Sequence, residues 1–138
     1  MSSDIVIVGA GCMGASTAYH LVQRDPSLQV TVYDRDLSLA RASTLLSDGN
    51  VRIQFNLEEN VLISRYAMEV LERFGDEMAV GDFRPDVGMK KQGNLFFVDE
   101  DSQEAARQGL ELQRSLGCNV EWLDMHAVTE RWPVLASD

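Results

Sequence analysis

A mixed α/β fold that opens with a parallel βαβ unit and continues into an α+β segment is predicted by three features of this 138-residue chain. The first is an aliphatic run, Ile5-Val6-Ile7-Val8, that breaks into Gly9-Ala10-Gly11-Cys12-Met13-Gly14. The second is a β-branched run, Leu28 to Tyr33, closed by Asp34. The third is a change of character after residue 80, where Pro85, Gly88 and Gly93 bracket short extended pieces.

Each element has a local reason. Ile5 to Val8 is continuously aliphatic, as expected for a parallel strand covered by helices on both faces. Each glycine after it removes a side chain at a different contact. Gly9 allows a sharp turn, Gly11 lets backbone N–H groups approach a ligand, and Gly14 lets a helix pack close to the strand. Gly14, Ala18 and Val22 recur at four-residue spacing and form a small apolar helix face that ends ahead of Pro26. Leu28 to Tyr33 then supplies a second strand. Asn56 with Glu59 three positions on has the form of an N-cap. Ile63, Ala67, Val70 and Phe74 follow at helical spacing, with Gly75 as a left-handed C-terminal cap. Val87 to Lys91 and Asn94 to Val98 read as antiparallel strands. Ser102 caps a helix bearing Ala105, Gly109, Leu112 and Leu116 and stopped by Gly117. Asn119 to Trp122 reads as a short strand, and Asp124 opens a last helix ended by Pro133. The tail from Trp132 to Asp138 carries no closing strand or helix. A boundary near residues 76 to 84 divides a nucleotide domain, residues 1–80, from the start of a second domain, residues 81–138.

An aliphatic strand, a glycine turn and a helix N-terminus together make a Rossmann-like anion site, where unpaired donors and the helix dipole favour a pyrophosphate. Asp34 stands where such a unit places an acid for the hydroxyls of an adenosine ribose, and its charge opposes the 2′-phosphate of NADP. Arg35 is a cation able to pair with phosphate, although Asp34 and Asp36 flank it. NAD and FAD share an unphosphorylated adenosine ribose, so this unit leaves both open. Ser43, Thr44, Ser47, Asp48 and Gly49 form a hydroxyl-rich, turn-forming segment whose donors suit a second phosphate or a flavin ring.

Charge and composition narrow the class. A net charge of −10 without a basic stripe argues against nucleic acid and against an anionic membrane surface. No apolar run approaches the roughly 20 residues that span a bilayer. Met1 to Asp4 leads straight into the first strand with no signal-like region, so a cytoplasmic location is expected. Cys12 and Cys118 are too few and too distant for a disulfide framework. His20 and His126 have no partners at metal-ligand spacing, and no metal is expected.

The opening GAGCMGASTAYHL, the acid of VTVYD and the segment RASTLLSDGNVRIQF together resemble the D-amino-acid-oxidase-like family of FAD-dependent oxidoreductases, which includes sarcosine and glycine oxidases. The later stretch from Met89 to Leu135 is similar to the start of that family's substrate domain. The resemblance covers nearly the whole chain but only the N-terminal part of such an enzyme, since only two strands of the parallel sheet are present. It implies FAD as cofactor and oxidation of a C–N bond in an amine or amino-acid substrate. By the same resemblance Gly9, Ala10, Gly11, Cys12, Met13 and Gly14 hold the pyrophosphate, Asp34 and Arg35 lie at the ribose, and Ser43, Thr44, Ser47, Asp48 and Gly49 line the path to the ribityl chain. Several relatives tether the flavin through an early histidine. Ser43 to Gly49 contains none, so noncovalent FAD is expected through this segment. Arg52 matches a family arginine near the flavin ring and is the expected catalytic residue, able to pair with a carboxylate or support a reduced flavin. A surface salt bridge is its plainer reading. Gln54 is a second candidate. Two other readings compete: an NAD-dependent dehydrogenase, and a non-catalytic dinucleotide-binding or assembly protein.

Overall fold

The computed structural model describes residues 4–135, which form two compact units divided after Asn50. The division between compact units falls after Asn50, ahead of the 80/81 position expected for a change of functional domain. Residues 1–3 and 136–138, and with them the start read above as carrying no signal-like region and the end of the tail, lie outside the described residues.

The first unit is the βαβ unit itself. Strand β1 (Ile5–Val8) pairs in parallel with β2 (Val30–Tyr33), in the register Ile5 with Val30 through Val8 with Tyr33. Helix α1 (Cys12–Arg24) connects them and stops at Asp25, just ahead of Pro26. A four-residue helix, α2 (Ser43–Leu46), interrupts the hydroxyl-rich segment. Ile5 and Ile7 are half-buried, while Val6 and Val8 on the opposite face are 56% and 88% exposed. The two-sided cover read from the aliphatic run is therefore one-sided among the described residues.

The second unit is helical. Helices α3 (Glu58–Glu77), α4 (Gln103–Ser115) and α5 (Met125–Arg131) are followed by a 3-10 turn, Pro133–Leu135. Val61 and Val128 are its buried apolar side chains. Gln113 is buried too, and its Nε2 donates to the Phe55 carbonyl at 3.0 Å, which anchors the segment leading into α3 onto α4. The Arg65 guanidinium donates to the Leu116 carbonyl, tying α3 to the end of α4.

Two of these helices have the predicted ends. Gly117 takes φ +78°, and the N–H groups of Gly117 and Cys118 donate to the carbonyls of Arg114 and Gln113 at 2.9 Å each. This paired pattern satisfies the last carbonyls of α4 in the way a left-handed glycine permits. Asp124 Oδ1 accepts the Ala127 N–H at 2.8 Å and caps α5. Ser102 flanks α4 as expected but makes no side-chain cap; its own N–H donates to Asp99 Oδ1 at 2.9 Å.

Other expectations need correction. The antiparallel strands at 87–91 and 94–98, and the short strand at 119–122, do not form; the described residues offer these extended stretches no ladder partner. Among the described residues, an isolated bridge between Val80 and Phe83 is the antiparallel pairing present. Helix α3 begins at Glu58 behind Leu57, so Asn56 is not its cap. Asn56 instead lies against Gly109 of α4, where a Cβ would overlap its side-chain oxygen. Gly75 does not end α3. It stays helical, and a Cβ there would lie 3.1 Å from the Pro85 carbonyl oxygen, so close approach rather than a left-handed turn is its use. Of the expected apolar stripe, Ala67, Val70 and Phe74 are half-buried, while Ile63 is 65% exposed and Val61 is the fully buried residue of the helix.

Candidate functional site

The glycine turn performs the geometry its spacing predicts. Gly9 has φ +105°, in the region that favours glycine, and its N–H donates to the Tyr33 carbonyl at 2.7 Å. A Cβ on Gly14 would overlap the Gly9 carbonyl and lie 3.4 Å from Ile7 Cγ2, so only glycine allows α1 this close to β1. Gly11 is different. A Cβ there would meet Thr44 Oγ1 at 3.4 Å, an ordinary contact, so the protein itself does not require glycine at that position.

Side chains from the end of β2 and from α2 complete the turn. Asp34 Oδ2 accepts the Ala10 N–H at 2.7 Å and Oδ1 accepts the Asp36 N–H at 3.0 Å. These backbone donors, Ala10 first, hold the Asp34 carboxyl below its ordinary value of 3.8, with the Arg35 charge contributing last. Thr44 Oγ1 accepts the Cys12 N–H at 3.1 Å, taking one of the first-turn donors of α1 that lack an intrahelical partner.

A cleft of about 580 Å³ opens over this turn. Of the residues expected to hold a cofactor, Gly9, Gly11, Cys12, Met13, Gly14, Asp34, Arg35, Ser43, Thr44 and Ser47 line it. Ala10 does not line it, because its N–H is turned onto Asp34. Asp48 and Gly49 are also absent from the lining: the Asp48 carboxylate accepts the Asn50 N–H at 3.3 Å, and Gly49 sits at φ +67° in the turn that follows Ser47. Reading the sequence missed Asp36, Leu39, Arg41 and Ala42, which line the same cleft. Successive turns, Leu39 N–H to the Asp36 carbonyl at 3.1 Å and Ala42 N–H to the Leu39 carbonyl at 2.8 Å, carry the chain past it. Leu39 sits at φ +57°, which no residue type announces; Arg41 was legible only as the cation leading the hydroxyl run.

Arg52 belongs to the second unit. Its guanidinium lies 5.0 Å from the Phe55 ring centre and 5.3 Å from that of Phe96, and no salt bridge to it occurs among the described residues. The plainer reading of a surface ion pair is thus absent. Gln54 Nε2 donates to the Asn94 carbonyl at 2.9 Å, while its Oε1 is buried without a partner. Among the described residues no three His, Cys, Asp or Glu side chains gather to hold a metal ion, and no helix is long and apolar enough to cross a membrane.

The cleft suits the adenosine diphosphate portion of a dinucleotide: backbone donors at a helix N-terminus, a carboxylate at the end of the second strand, and two arginines, Arg35 and Arg41, in the lining. Comparison with known proteins specifies the class. A protein from Bos taurus named FAD-dependent oxidoreductase domain-containing protein 1 is 34% identical over 135 residues, which is 95% of this chain and 28% of that protein. The Xenopus laevis protein of that name is 33% identical over 95% of this chain and 27% of its own length. A Drosophila melanogaster homologue is 32% identical over 96% and 25%. The chain therefore spans about a quarter of the length of these curated relatives. No solved structure matches. Residues 4–138 match the family described as DAO, FAD dependent oxidoreductase, and the chain belongs to that family of flavin-dependent oxidoreductases.

Proposed function

We propose that the chain forms the adenosine-diphosphate-binding part of a flavoenzyme that holds FAD noncovalently and oxidises a C–N bond of a small amine or amino acid. The observation that carries the FAD reading is the cradle at the start of α1, where a Cβ on Gly14 would overlap the Gly9 carbonyl and Asp34 fixes the loop from the end of β2. Those residues fit a diphosphate and its ribose. Gly11, Met13 and Gly14 supply backbone donors, Asp34 accepts ribose hydroxyls on the lone pairs its two backbone contacts leave free, and Arg35 and Arg41, in the lining of the cleft, bring positive charge to the phosphates. Bound FAD supplies the two-electron acceptor, which no side chain provides. Thr44 and Ser47 offer hydroxyls to the cofactor beyond the phosphates.

Support for a C–N substrate comes from the chain's resemblance to amine and amino-acid oxidases and from Arg52, whose guanidinium has no acidic neighbour within ion-pair distance among the described residues. Its role is to take the carboxylate of the substrate. The net charge of −10 fits a small-molecule substrate rather than a nucleic-acid partner.

The noncovalent assignment is tested by loading the protein with FAD, removing free flavin, and precipitating with acid. Yellow colour retained at neutral pH and released to the supernatant by acid is the expected result. Flavin that stays with the pellet contradicts noncovalent binding, and a colourless protein at neutral pH contradicts FAD.

A further inference from the structure

The stretches Val51–Phe55 and Asn94–Val98 meet in the second unit without a strand ladder, so side chains make the join. Gln54 grips the Asn94 carbonyl, and two positions from each of these residues the Arg52 guanidinium rests on the Phe55 and Phe96 rings, at 5.0 and 5.3 Å from their centres. Both distances fall inside the range of about 6 Å over which a ring face attracts a cation. The backbone beside each ring is held: the Phe55 carbonyl takes the Nε2 of buried Gln113, and Phe96 lies two residues after the Asn94 whose carbonyl Gln54 holds. Phe96 is nonetheless 48% exposed, which is a poor use of an aromatic ring for core packing alone.

A ring engages the flat face of a guanidinium and leaves its in-plane N–H donors unused. Among the described residues Arg52 has no ion pair and no side-chain hydrogen bond that would occupy those donors. Ordering a long side chain is normally the main entropic cost of binding through it, and stacking meets that cost before a ligand arrives.

We propose that Phe55 and Phe96 are positioning residues that hold Arg52 in one orientation, so that its planar fork of donors is presented to a carboxylate. The proposal rests on the assignment of Arg52 to substrate recognition made above and deepens it by naming what orients the arginine.

The test is NMR of the 138-residue chain without flavin, following the Arg52 Nε–Hε signal in the wild type and in Phe96→Leu and Phe96→Tyr. Leucine preserves apolar contact but has no ring face; tyrosine keeps one. The expected wild-type signal is shifted upfield by the rings, with an order parameter near that of rigid backbone, about 0.85, and Phe96→Tyr keeps both properties. In Phe96→Leu the shift disappears and the order parameter falls below about 0.6. Titration with acetate moves the signal in wild type and Phe96→Tyr and binds about threefold more weakly to Phe96→Leu, whereas neutral N-methylacetamide leaves it in place. A mobile Arg52 in the wild type overturns the proposal, whatever the variants do. So does a rigid Arg52 in a folded Phe96→Leu chain, or an acetate response no larger than that to N-methylacetamide. Because no flavin is present, a failure here is separate from a failure of the FAD assignment.

Discussion

Asp34 shows how one carboxylate links the recognition loop to the sheet. It draws the Ala10 N–H out of the cleft and the Asp36 N–H back toward the strand, so the loop and the turn after β2 share one anchor. Those donors depress its pKa. A depressed folded pKa means that the stabilisation is fully present above the unfolded value of 3.8 and is lost as pH falls through the folded value. The Ala10 amide resonance in wild type should therefore move on acidification below that pH, while in Asp34→Asn it should already sit elsewhere and stay constant. A wild-type Ala10 amide that does not respond to acid would show that Asp34 does not hold the loop. At this scale the glycines were legible because their spacing encodes backbone geometry directly. Leu39 was not, since a left-handed leucine contradicts its own preference, which costs roughly 1–2 kcal/mol, and only the surrounding turns impose it.

At the scale of elements, the contact between α1 and β1 is set by the missing side chain at Gly14. The obstructing atom is a backbone carbonyl, which cannot swing aside as a side chain can. Gly14→Ala should therefore destabilise the chain by roughly 1–3 kcal/mol, read from urea unfolding, and should weaken FAD binding by displacing the start of α1. Unchanged stability with unchanged FAD affinity would remove Gly14 from the account. Elements carrying their own stop and start chemistry were legible: Gly117 and Asp124 end α4 and begin α5 by local hydrogen bonds that depend on no distant partner. The stretch Asn94–Val98 was not. Its apolar and aromatic residues suit a strand, yet a strand is a relation between two segments, and here the relation is carried by Gln54 and Arg52 side chains instead. Asn56 was misread for a similar reason, since its cap-like spacing was outweighed by packing against Gly109.

At the scale of the whole molecule, the proposed function of an acidic chain rests on two places, a cleft over the glycine turn and an arginine beside two aromatic rings. The first turns on the backbone geometry at Gly9 and Gly14 and on the Asp34 carboxylate, which is why its position could be read from glycine spacing and one aspartate. The second depends on residues about forty apart in the chain, and its clamp was invisible until the fold brought Phe96 to Arg52. The central claim is that the cleft takes the adenosine diphosphate of FAD. Calorimetric titration of the 138-residue chain with FAD, NAD and NADP, each repeated with excess ADP, tests it most directly. The account predicts that FAD binds most tightly, that ADP competes it away, and that NADP binds most weakly because Asp34 opposes its 2′-phosphate. Tighter binding of NAD than FAD, or FAD binding indifferent to ADP, would contradict it.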